Sequence, residues 1–203
     1  MHFLDSKNVP QLLESNLIIN KKNEANLQWI DEDCVSILEY KIPIFSTSNE
    51  DIEIAVKIDE FIIECLKNYN YFWVDKKTIN FENQVSYEYE EGDIMEVHIH
   101  NSCINRMFTI PNPKLIEPDI EVQVGFEKKY MTIDDHCGKK IKFNFILLEN
   151  EEESPKQCFN SRYLIDFFEK HQGRLCKVYL TNEPFPICFE FPEFRMFIAP
   201  IEN

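Results

Sequence analysis

The C-terminal part of the chain places one amphipathic helix directly before three short apolar segments. In the helix, Tyr163, Leu164, Phe167 and Phe168 recur at the spacing of a single helical face. The segments that follow, which end with Phe197-Ile-Ala-Pro200, are short and rich in β-branched and aromatic residues, as antiparallel strands are. This order predicts a helix packed on one face of an antiparallel sheet, and therefore an α+β unit.

Charge limits how this chain can contact nucleic acid. Its 203 residues include 36 acidic and 21 basic side chains, a formal net charge of −15. This excess argues against a surface that wraps nucleic acid on all sides, so any contact with phosphates must come from a local basic patch. With 44% hydrophobic residues, the chain can bury one large core or two small ones.

The patterns of cysteine, glycine and apolar residues exclude several other classes of protein. The seven cysteines are spread singly without a CxxC pair, which predicts reduced core residues rather than disulfides or a zinc site. The four glycines are isolated, so no phosphate-binding loop is expected. The N-terminus lacks the pattern of a signal peptide, and no apolar stretch is long enough to span a membrane. We therefore expect a soluble, intracellular protein without a cofactor.

Helical and alternating patterns follow one another twice along the chain, which predicts two similar domains. Their expected bounds are residues 1–92 and 93–203, with a strand at residues 94–99 opening the second domain. Because this strand follows the last strand of the first domain almost directly, we expect a short link between the domains. The predicted helices cover residues 8–14, 58–67, 101–110 and 160–170.

Several separated segments carry a family resemblance. The C-terminal end of eukaryotic-type sliding clamps, the proliferating cell nuclear antigen (PCNA) family, is similar to Ser161-Arg-Tyr-Leu-Ile-Asp-Phe-Phe168, Pro184-Phe-Pro-Ile-Cys-Phe-Glu-Phe191 and Met196-Phe-Ile-Ala-Pro200. Far upstream, the family's strand, acidic turn and strand resemble Asn26-Leu-Gln-Trp-Ile-Asp-Glu-Asp-Cys-Val-Ser-Ile-Leu38. With the repeat between these segments, the resemblance covers essentially the whole chain.

The resemblance implies a ring of head-to-tail subunits, each with a two-domain DNA-clamp fold. Antiparallel sheets would form the outside of the ring and short helices would lie on one face of them. Edge strands at residues 85–89 and 141–145, which alternate in polarity, would join neighbouring subunits. The alternative is that these strands only close a sheet within the subunit. The implied interface residues are Val85, Tyr87, Tyr89, Ile141, Phe143 and Phe145.

The family's inner helices carry basic residues that contact phosphates weakly, so that the ring slides. In this chain the acidic residues Asp59, Glu60 and Glu64 on the second predicted helix depart from that pattern. For each basic candidate, a solvated surface charge is the alternative. The residues implied to face DNA are Lys7, Lys67, Arg106, Lys114, Arg162, Lys170 and Arg174, with Arg106 on the third predicted helix.

Partner proteins of the family insert a short motif with aromatic anchors into a hydrophobic groove between the domains. The alternative for the matching residues is ordinary core. The family also has a long connector that forms one wall of this groove, and the short link predicted here would remove that wall. The residues implied to form the groove are Trp29, Ile30, Cys34, Ile37, Pro186, Ile198, Ala199 and Pro200.

No catalytic constellation and no metal site are expected. His98 and His100 share one face of a predicted strand, and His136 and Cys137 follow two aspartates, but no third ligand at a recognisable spacing accompanies either pair. The acidic run near residue 150 is typical of a solvated loop.

The sequence therefore predicts a non-enzymatic sliding clamp, a processivity factor that encircles double-stranded DNA without reading its sequence. Its expected partners are DNA polymerase and other clamp-binding proteins. Copies of the chain are expected to associate into a ring, most simply a trimer. No contact with a membrane is expected. The alternatives are a checkpoint-type subunit of a heteromeric ring and a degenerate clamp fold that serves as a scaffold in transcription. The expected location is the nucleus, or the replication compartment of a virus.

Overall fold

The computed structural model describes residues 15–19, 25–33, 35–42, 54–69, 72–75, 77–82, 85–92, 94–135, 138–146 and 154–201. The chain divides into two compact units, Met1–Glu96 and Val97–Asn203. The sequence-based boundary lies close by, between residues 92 and 93. In the described part, each unit combines antiparallel strands with one α-helix of two turns or more, so the fold is α+β as predicted.

The first unit contains seven described strands and the helix α1. Four strands lie side by side in the order β4-β1-β2-β3, and three more form a sheet in the order β5-β6-β7. Every pairing within these sets is antiparallel. The elements are β1 (Asn16–Ile19), β2 (Ala25–Ile30), β3 (Ser36–Ile42), β4 (Ile54–Lys57), α1 (Glu60–Asn68), β5 (Phe72–Val74), β6 (Thr78–Phe81) and β7 (Val85–Glu88).

Local chemistry explains where α1 starts and which face it buries. Asp59 Oδ1 accepts a hydrogen bond from Ile62 N at 2.8 Å, which satisfies one of the amide groups that the first turn of a helix leaves without a partner. The buried side chains of the helix join strand residues such as Leu17, Val56 and Phe81 in one core. Each buried aliphatic or aromatic side chain contributes about 1.5–3 kcal/mol. The buried residues of α1 are Ile62, Ile63, Cys65 and Leu66.

The second unit has two sheets and the helix α2. One set of strands has the order β15-β14-β13-β8, and the other has the order β11-β10-β9-β12. A single turn of 3₁₀ helix at Pro113–Leu115 lies between β8 and β9. The elements are β8 (Ile104–Thr109), β9 (Glu121–Glu127), β10 (Tyr130–Asp134), β11 (Lys140–Asn144), β12 (Lys156–Asn160), α2 (Ser161–His171), β13 (Leu175–Leu180), β14 (Ile187–Glu190) and β15 (Phe194–Ile198).

Helix α2 is fixed by its cap and by an aromatic core. Asn160 accepts a hydrogen bond from Arg162 N at 2.9 Å, and the buried hydroxyl of Ser161 donates to Glu117 O at 2.7 Å. Phe167 packs against Phe189 with tilted rings and 4.6 Å between ring centroids. Such aromatic pairs add about 0.5–1.5 kcal/mol to the stabilisation that comes from burying their area. The fully buried phenylalanines of this unit include Phe108, Phe126, Phe159, Phe168, Phe189, Phe191, Phe194 and Phe197.

The two units repeat one connection. Beyond β7, Gly92 N donates a hydrogen bond to Ala55 O in β4 at 3.0 Å. Beyond β11, Ile146 N donates to Met107 O in β8 at 2.8 Å. In each unit the residues that follow an edge strand therefore form a hydrogen bond to a strand of that unit's other sheet. This shared connection is expected if the two units have similar folds.

The structure corrects the start of the second predicted domain. The strand expected at residues 94–99 and the helix expected at residues 101–110 are wrong, because residues 94–103 contain neither and residues 104–109 form β8. In β8, Ile104, Arg106 and Phe108 are buried in alternation, a period of two that only a strand provides. Residues 89–103, whose described part has no helix or strand, thus lie between β7 and β8, so the short link predicted from the sequence is also wrong. We call these residues the connecting segment.

The other helix predictions have different outcomes. The helices expected at residues 58–67 and 160–170 are confirmed as α1 and α2. The helix expected at residues 8–14 lies outside the described residues. The strand β12 was not predicted, since its first residue, Lys156, ends a charged run and the rest of the strand is short.

Candidate nucleic-acid and partner interfaces

The exposed face of α2 carries two of the predicted DNA contacts. Arg162 and Lys170 are exposed near the two ends of the helix, while Asp166 and Glu169 are exposed between them. This face therefore has as many acidic as basic side chains. Its attraction to phosphate is local and weak, and salt will screen it.

The face of α1 is more acidic. Glu60 and Glu64 are exposed, and Lys67, the basic residue of the last turn, is half-buried. The whole first unit has eight lysines and no arginine against 20 acidic residues, whereas the second has 13 basic and 16 acidic residues. The net charges are therefore −12 and −3, so phosphate contact is more favourable in the second unit.

Arg174 has structural partners close to the end of α2. Its guanidinium forms an ion pair with Glu193 and lies 4.3 Å from the ring centroid of Phe191 and 5.5 Å from that of Phe194. Burial first, and then the nearby charges of Arg174 and Lys170, lower the pKa of His171 to about 4. Arg174 therefore covers an aromatic cluster, and only part of its side chain is open to solvent.

Three further basic candidates differ in their surroundings. Arg106 is only 5% exposed on β8, and its Nη1 donates to Asn105 O at 2.8 Å. The expectation of an exposed Arg106 on a helix is therefore wrong, because the alternation of the strand turns this side chain inwards. Lys114 is exposed on the 3₁₀ helix. Lys7 lies outside the described residues.

The groove residues predicted in the first unit lie on the β2–β3 hairpin. Ile30 and Ile37 are register partners, and Asp31 Oδ1 closes the turn by accepting hydrogen bonds from two backbone amides at 2.7 and 2.8 Å. Ile37 is buried, whereas Trp29 and Ile30 are half-buried. Trp29 and Ile30 can thus contribute to a surface, while Ile37 belongs to the core. Cys34 lies outside the described residues.

The groove residues predicted in the second unit surround the end of β15. Ile198 pairs with Ile187 and is fully buried, as is its neighbour Phe197, so Ile198 is a core residue. Pro186, Ala199 and Pro200 are half-buried. These three residues, unlike Ile198, are accessible to a ligand.

A cavity of about 450 Å³ lies beside Pro200 in the second unit. It follows the edge of β12, where Ile201 N donates to Cys158 O at 2.8 Å. Gln157 is 8% exposed; its Nε2 donates to Glu183 O, but its Oε1 has no hydrogen-bond partner among the described residues. No pattern in the sequence indicated this cavity, because β12 was not predicted. Its lining consists of Gln123, Lys156, Gln157, Cys158, Asn182, Glu183, Pro184, Pro200 and Ile201.

Side chains in both units hold the connecting segment. In the first unit, Gln28 Nε2 donates to Met95 O at 2.7 Å and Gln28 Oε1 accepts from Met95 N at 3.2 Å. In the second unit, the ring of His100 stacks on Phe185 with 3.9 Å between centroids, and its Nδ1 lies 2.7 Å from Ser102 Oγ. The described residues of the connecting segment are therefore held by specific contacts.

The two predicted interface strands are sheet edges in the described part of the chain. β7 pairs only with β6, and β11 pairs only with β10. Tyr87 packs against the core of its own unit, and Phe143 lies 6.5 Å from Phe168 between ring centroids. Phe145 is 7% exposed and bridges to Phe108, so it is a core residue rather than an interface residue. The remaining predicted residues, Val85, Tyr89 and Ile141, are half-buried.

No group of three histidine, cysteine or acidic side chains among the described residues could hold a metal ion. His98 is exposed, and His136 and Cys137 lie outside the described residues. None of the described helices is long and apolar enough to cross a membrane.

Comparison with solved structures identifies the fold. The chain is similar to PCNA from Thermococcus kodakaraensis, with a TM-score of 0.59 and 12% sequence identity over 95% of this chain and 92% of that chain. The chain has the fold of a sliding clamp. The resemblance noted in the sequence is therefore confirmed at the level of the fold, although the sequence matches no protein-family model and no curated protein.

Other clamps give the same result. The PCNA2–PCNA3 complex from Sulfolobus tokodaii matches with a TM-score of 0.57 and 12% identity over 96% of this chain and 93% of that chain. The beta subunit from DNA polymerase of Streptococcus pyogenes matches all of this chain with a TM-score of 0.58 and 12% identity, but only 61% of its own length is covered. This chain thus covers nearly all of the two PCNA structures and about three fifths of the beta subunit.

Proposed function

We propose that this chain is a subunit of a sliding clamp that encircles duplex DNA and tethers DNA polymerase and other replication or repair proteins. The observation that carries the proposal is the clamp fold. The match extends over 95% of this chain and over 92% of the PCNA chain from Thermococcus kodakaraensis. In this role the protein is a non-enzymatic scaffold that works in the nucleus or in a viral replication compartment.

In this proposal the protein is retained on DNA because the ring encircles the duplex, and not because it binds the duplex tightly. The exposed basic residues Arg162 and Lys170 on α2 are balanced by acidic neighbours, so contact with phosphates stays weak enough for sliding. Partner proteins would dock where half-buried apolar residues accompany hydrogen-bonding groups, at Trp29 and Ile30 and at Pro186, Ala199 and Pro200.

A duplex anchored at one end tests this function. The protein is allowed to thread onto the duplex, the free end is then closed by a bulky block, and the DNA is washed with high salt. A clamp stays bound after blocking and leaves when the end is opened, whereas a protein held only by charge is removed in both cases. Loss from blocked duplex at high salt would contradict encirclement.

A second candidate, a clamp-fold scaffold that does not hold DNA, is favoured by one observation. The first unit has a net charge of −12, and its helix α1 exposes Glu60 and Glu64. In that case partner proteins bind to the chain, but blocking the end of a duplex does not change its retention.

A further inference from the structure

His100 links the connecting segment to the loop between β13 and β14. Its ring stacks on Phe185, with 3.9 Å between the ring centroids and 12° between the ring planes. Its Nδ1 lies 2.7 Å from Ser102 Oγ, which in turn lies 2.9 Å from Thr181 Oγ1. An aromatic stack and a chain of two hydroxyl groups therefore join the segment to the second unit at this point.

Two backbone amides set the direction of these hydrogen bonds when His100 is neutral. Ser102 N donates to His100 Nδ1 and Glu183 N donates to Thr181 Oγ1, both at 3.3 Å. Because Nδ1 accepts a hydrogen bond, the neutral ring carries its proton on Nε2. The hydroxyl of Thr181 can then donate to Ser102 Oγ, and the hydroxyl of Ser102 can donate to His100 Nδ1.

A carboxylate faces the same nitrogen atom. Glu183 Oε2 lies 3.8 Å from His100 Nδ1, and in the described part of the chain Glu183 forms no other ion pair. The other titratable group on this turn is the Cys103 thiol, which stays neutral because burial, with a smaller contribution from Glu183, raises its pKa. Glu183 is therefore the charged group that the described contacts place against the ring. We call the following residues the His100 cluster: His100, Ser102, Thr181, Glu183 and Phe185.

Protonation of His100 is expected to strengthen these contacts. Histidine is the side chain whose charge changes between pH 8 and pH 5. With protons on both nitrogen atoms the ring donates to Ser102 Oγ, and a hydrogen bond from a charged donor is about twice as strong as one between neutral groups. The positive ring is also attracted by the carboxylate of Glu183 and by the face of the Phe185 ring. The bond that is lost comes from Ser102 N, and at 3.3 Å it is longer and weaker than an ordinary hydrogen bond.

We propose that the His100 cluster is a pH-dependent fastening, in which protonation of His100 holds the connecting segment more tightly to the second unit. The other anchor of the segment, between Gln28 and Met95, uses an amide side chain that does not titrate, so pH changes the hold on one end only. The inference goes beyond the proposed function and does not depend on it.

Amide hydrogen exchange of the full chain, followed by NMR between pH 8 and pH 5, tests the proposal. Protection is expressed relative to the intrinsic exchange rate at each pH. The Cys103 amide, which donates to His100 O at 3.0 Å, reports whether the turn at His100 is closed. We expect its protection to increase by about twofold to fivefold from pH 8 to pH 5, as for one partly exposed ion pair. The Met95 amide should keep the same protection.

Two variants remove the two charges. His100→Phe keeps an aromatic ring against Phe185 but cannot be protonated, so the protection of the Cys103 amide should become independent of pH. Glu183→Gln keeps the backbone amide and removes the carboxylate, so the increase should be smaller than in the wild type.

Matched controls change the same residue types elsewhere. His98→Gln replaces an exposed histidine of the same segment, and Glu169→Gln replaces an exposed carboxylate on α2. Both should leave the increase in Cys103 protection unchanged, because neither residue belongs to the His100 cluster.

Nitrogen chemical shifts of the His100 ring provide a second measurement. The neutral ring should carry its proton on Nε2, as the donation from Ser102 N to Nδ1 requires. A proton on Nδ1 of the neutral ring would overturn the arrangement of hydrogen bonds on which the proposal rests.

A change in global stability cannot imitate the expected result. Burial lowers the pKa of His171 to about 4, which makes the folded chain less stable in acid, so a global change would lower the protection of Cys103. Protection that does not increase between pH 8 and pH 5, or that increases equally in His100→Phe, would overturn the proposal. If circular dichroism shows that His100→Phe is unfolded, Glu183→Gln decides, and an increase as large as in the wild type would overturn it.

Discussion

The hydroxyl group of Tyr87 donates a hydrogen bond to Asp59 Oδ2 at 2.5 Å and so ties the edge strand β7 to the start of α1. The other carboxylate oxygen, Asp59 Oδ1, accepts from Ile62 N and caps the helix. The bond to Asp59 raises the pKa of Tyr87, because it favours the neutral hydroxyl. One carboxylate therefore positions both the helix α1 and the edge strand β7.

Removing this carboxylate should loosen both elements. We expect Asp59→Ala to lower the free energy of unfolding by about 1–2 kcal/mol, since the loss of an N-cap alone costs about that much. Urea unfolding followed by circular dichroism measures the change. Glu60→Ala changes the adjacent, exposed carboxylate and should have little effect on the stability. An equal loss of stability in the two variants would contradict the role given to Asp59.

A second prediction concerns the connecting segment. Gln28 is 1% exposed, and besides its two bonds to Met95 it donates to Glu39 Oε1 at 3.1 Å. Gln28→Ala removes these bonds and should cost about 1–3 kcal/mol, because buried polar groups are left without partners. Hydrogen exchange at the Met95 amide should become faster by about tenfold or more. Gln172→Ala, at an exposed position, is the control, and unchanged exchange in Gln28→Ala would contradict the anchor.

The sequence predicted the parts of the fold whose periodicity is strong. The helical spacing of Leu164, Phe167 and Phe168 predicted α2 correctly, and the same kind of pattern predicted α1. The alternation of Val85 with Ser86 and of Ile141 with Lys142 placed two strands that lie at sheet edges in the described part of the chain. In these elements local pattern and tertiary packing agree.

The errors arose where local and tertiary signals disagree. Asn101 and Ser102 have the composition of a helix start, but they form a turn before β8. Arg106 is buried because it shares the inward face of β8 with Ile104 and Phe108. A buried arginine on a strand has no signature in a single sequence, since arginine is normally exposed. The anchor between Gln28 and Met95 joins residues that are far apart in the chain, which periodicity cannot reveal.

A third prediction concerns stability at acidic pH. The ring of His171 lies among aromatic rings, with its centroid 5.0 Å from that of Phe167 and 4.9 Å from that of Phe194, and its pKa is lowered to about 4. An unfolded histidine has a pKa of about 6.5. Between these pH values the unfolded chain binds a proton at His171 that the folded chain does not bind. The free energy of unfolding therefore has its full value above pH 6.5 and falls as the pH drops towards 4.

His171→Gln should make this pH dependence shallower. Because the ring is partly open to solvent, screening reduces the effect to on the order of 1–2 kcal/mol between the two pKa values. Urea unfolding at a series of pH values measures it, with His98→Gln at an exposed position as the control. An unchanged slope in His171→Gln would show that other groups cause the loss of stability in acid.

The last prediction separates the two helices as sites of phosphate contact. Removing one basic side chain that touches a phosphate of duplex DNA reduces the slope of log K against log salt by about 0.9. We expect Arg162→Ala/Lys170→Ala to reduce the slope by about 2 in fluorescence titrations with a short duplex. Lys67→Ala should leave it unchanged, because Lys67 is half-buried and Glu60 and Glu64 are exposed on the same helix. A comparable change in Lys67→Ala would mean that α1 contacts DNA despite its acidic face, and would contradict the assignment of phosphate contact to α2.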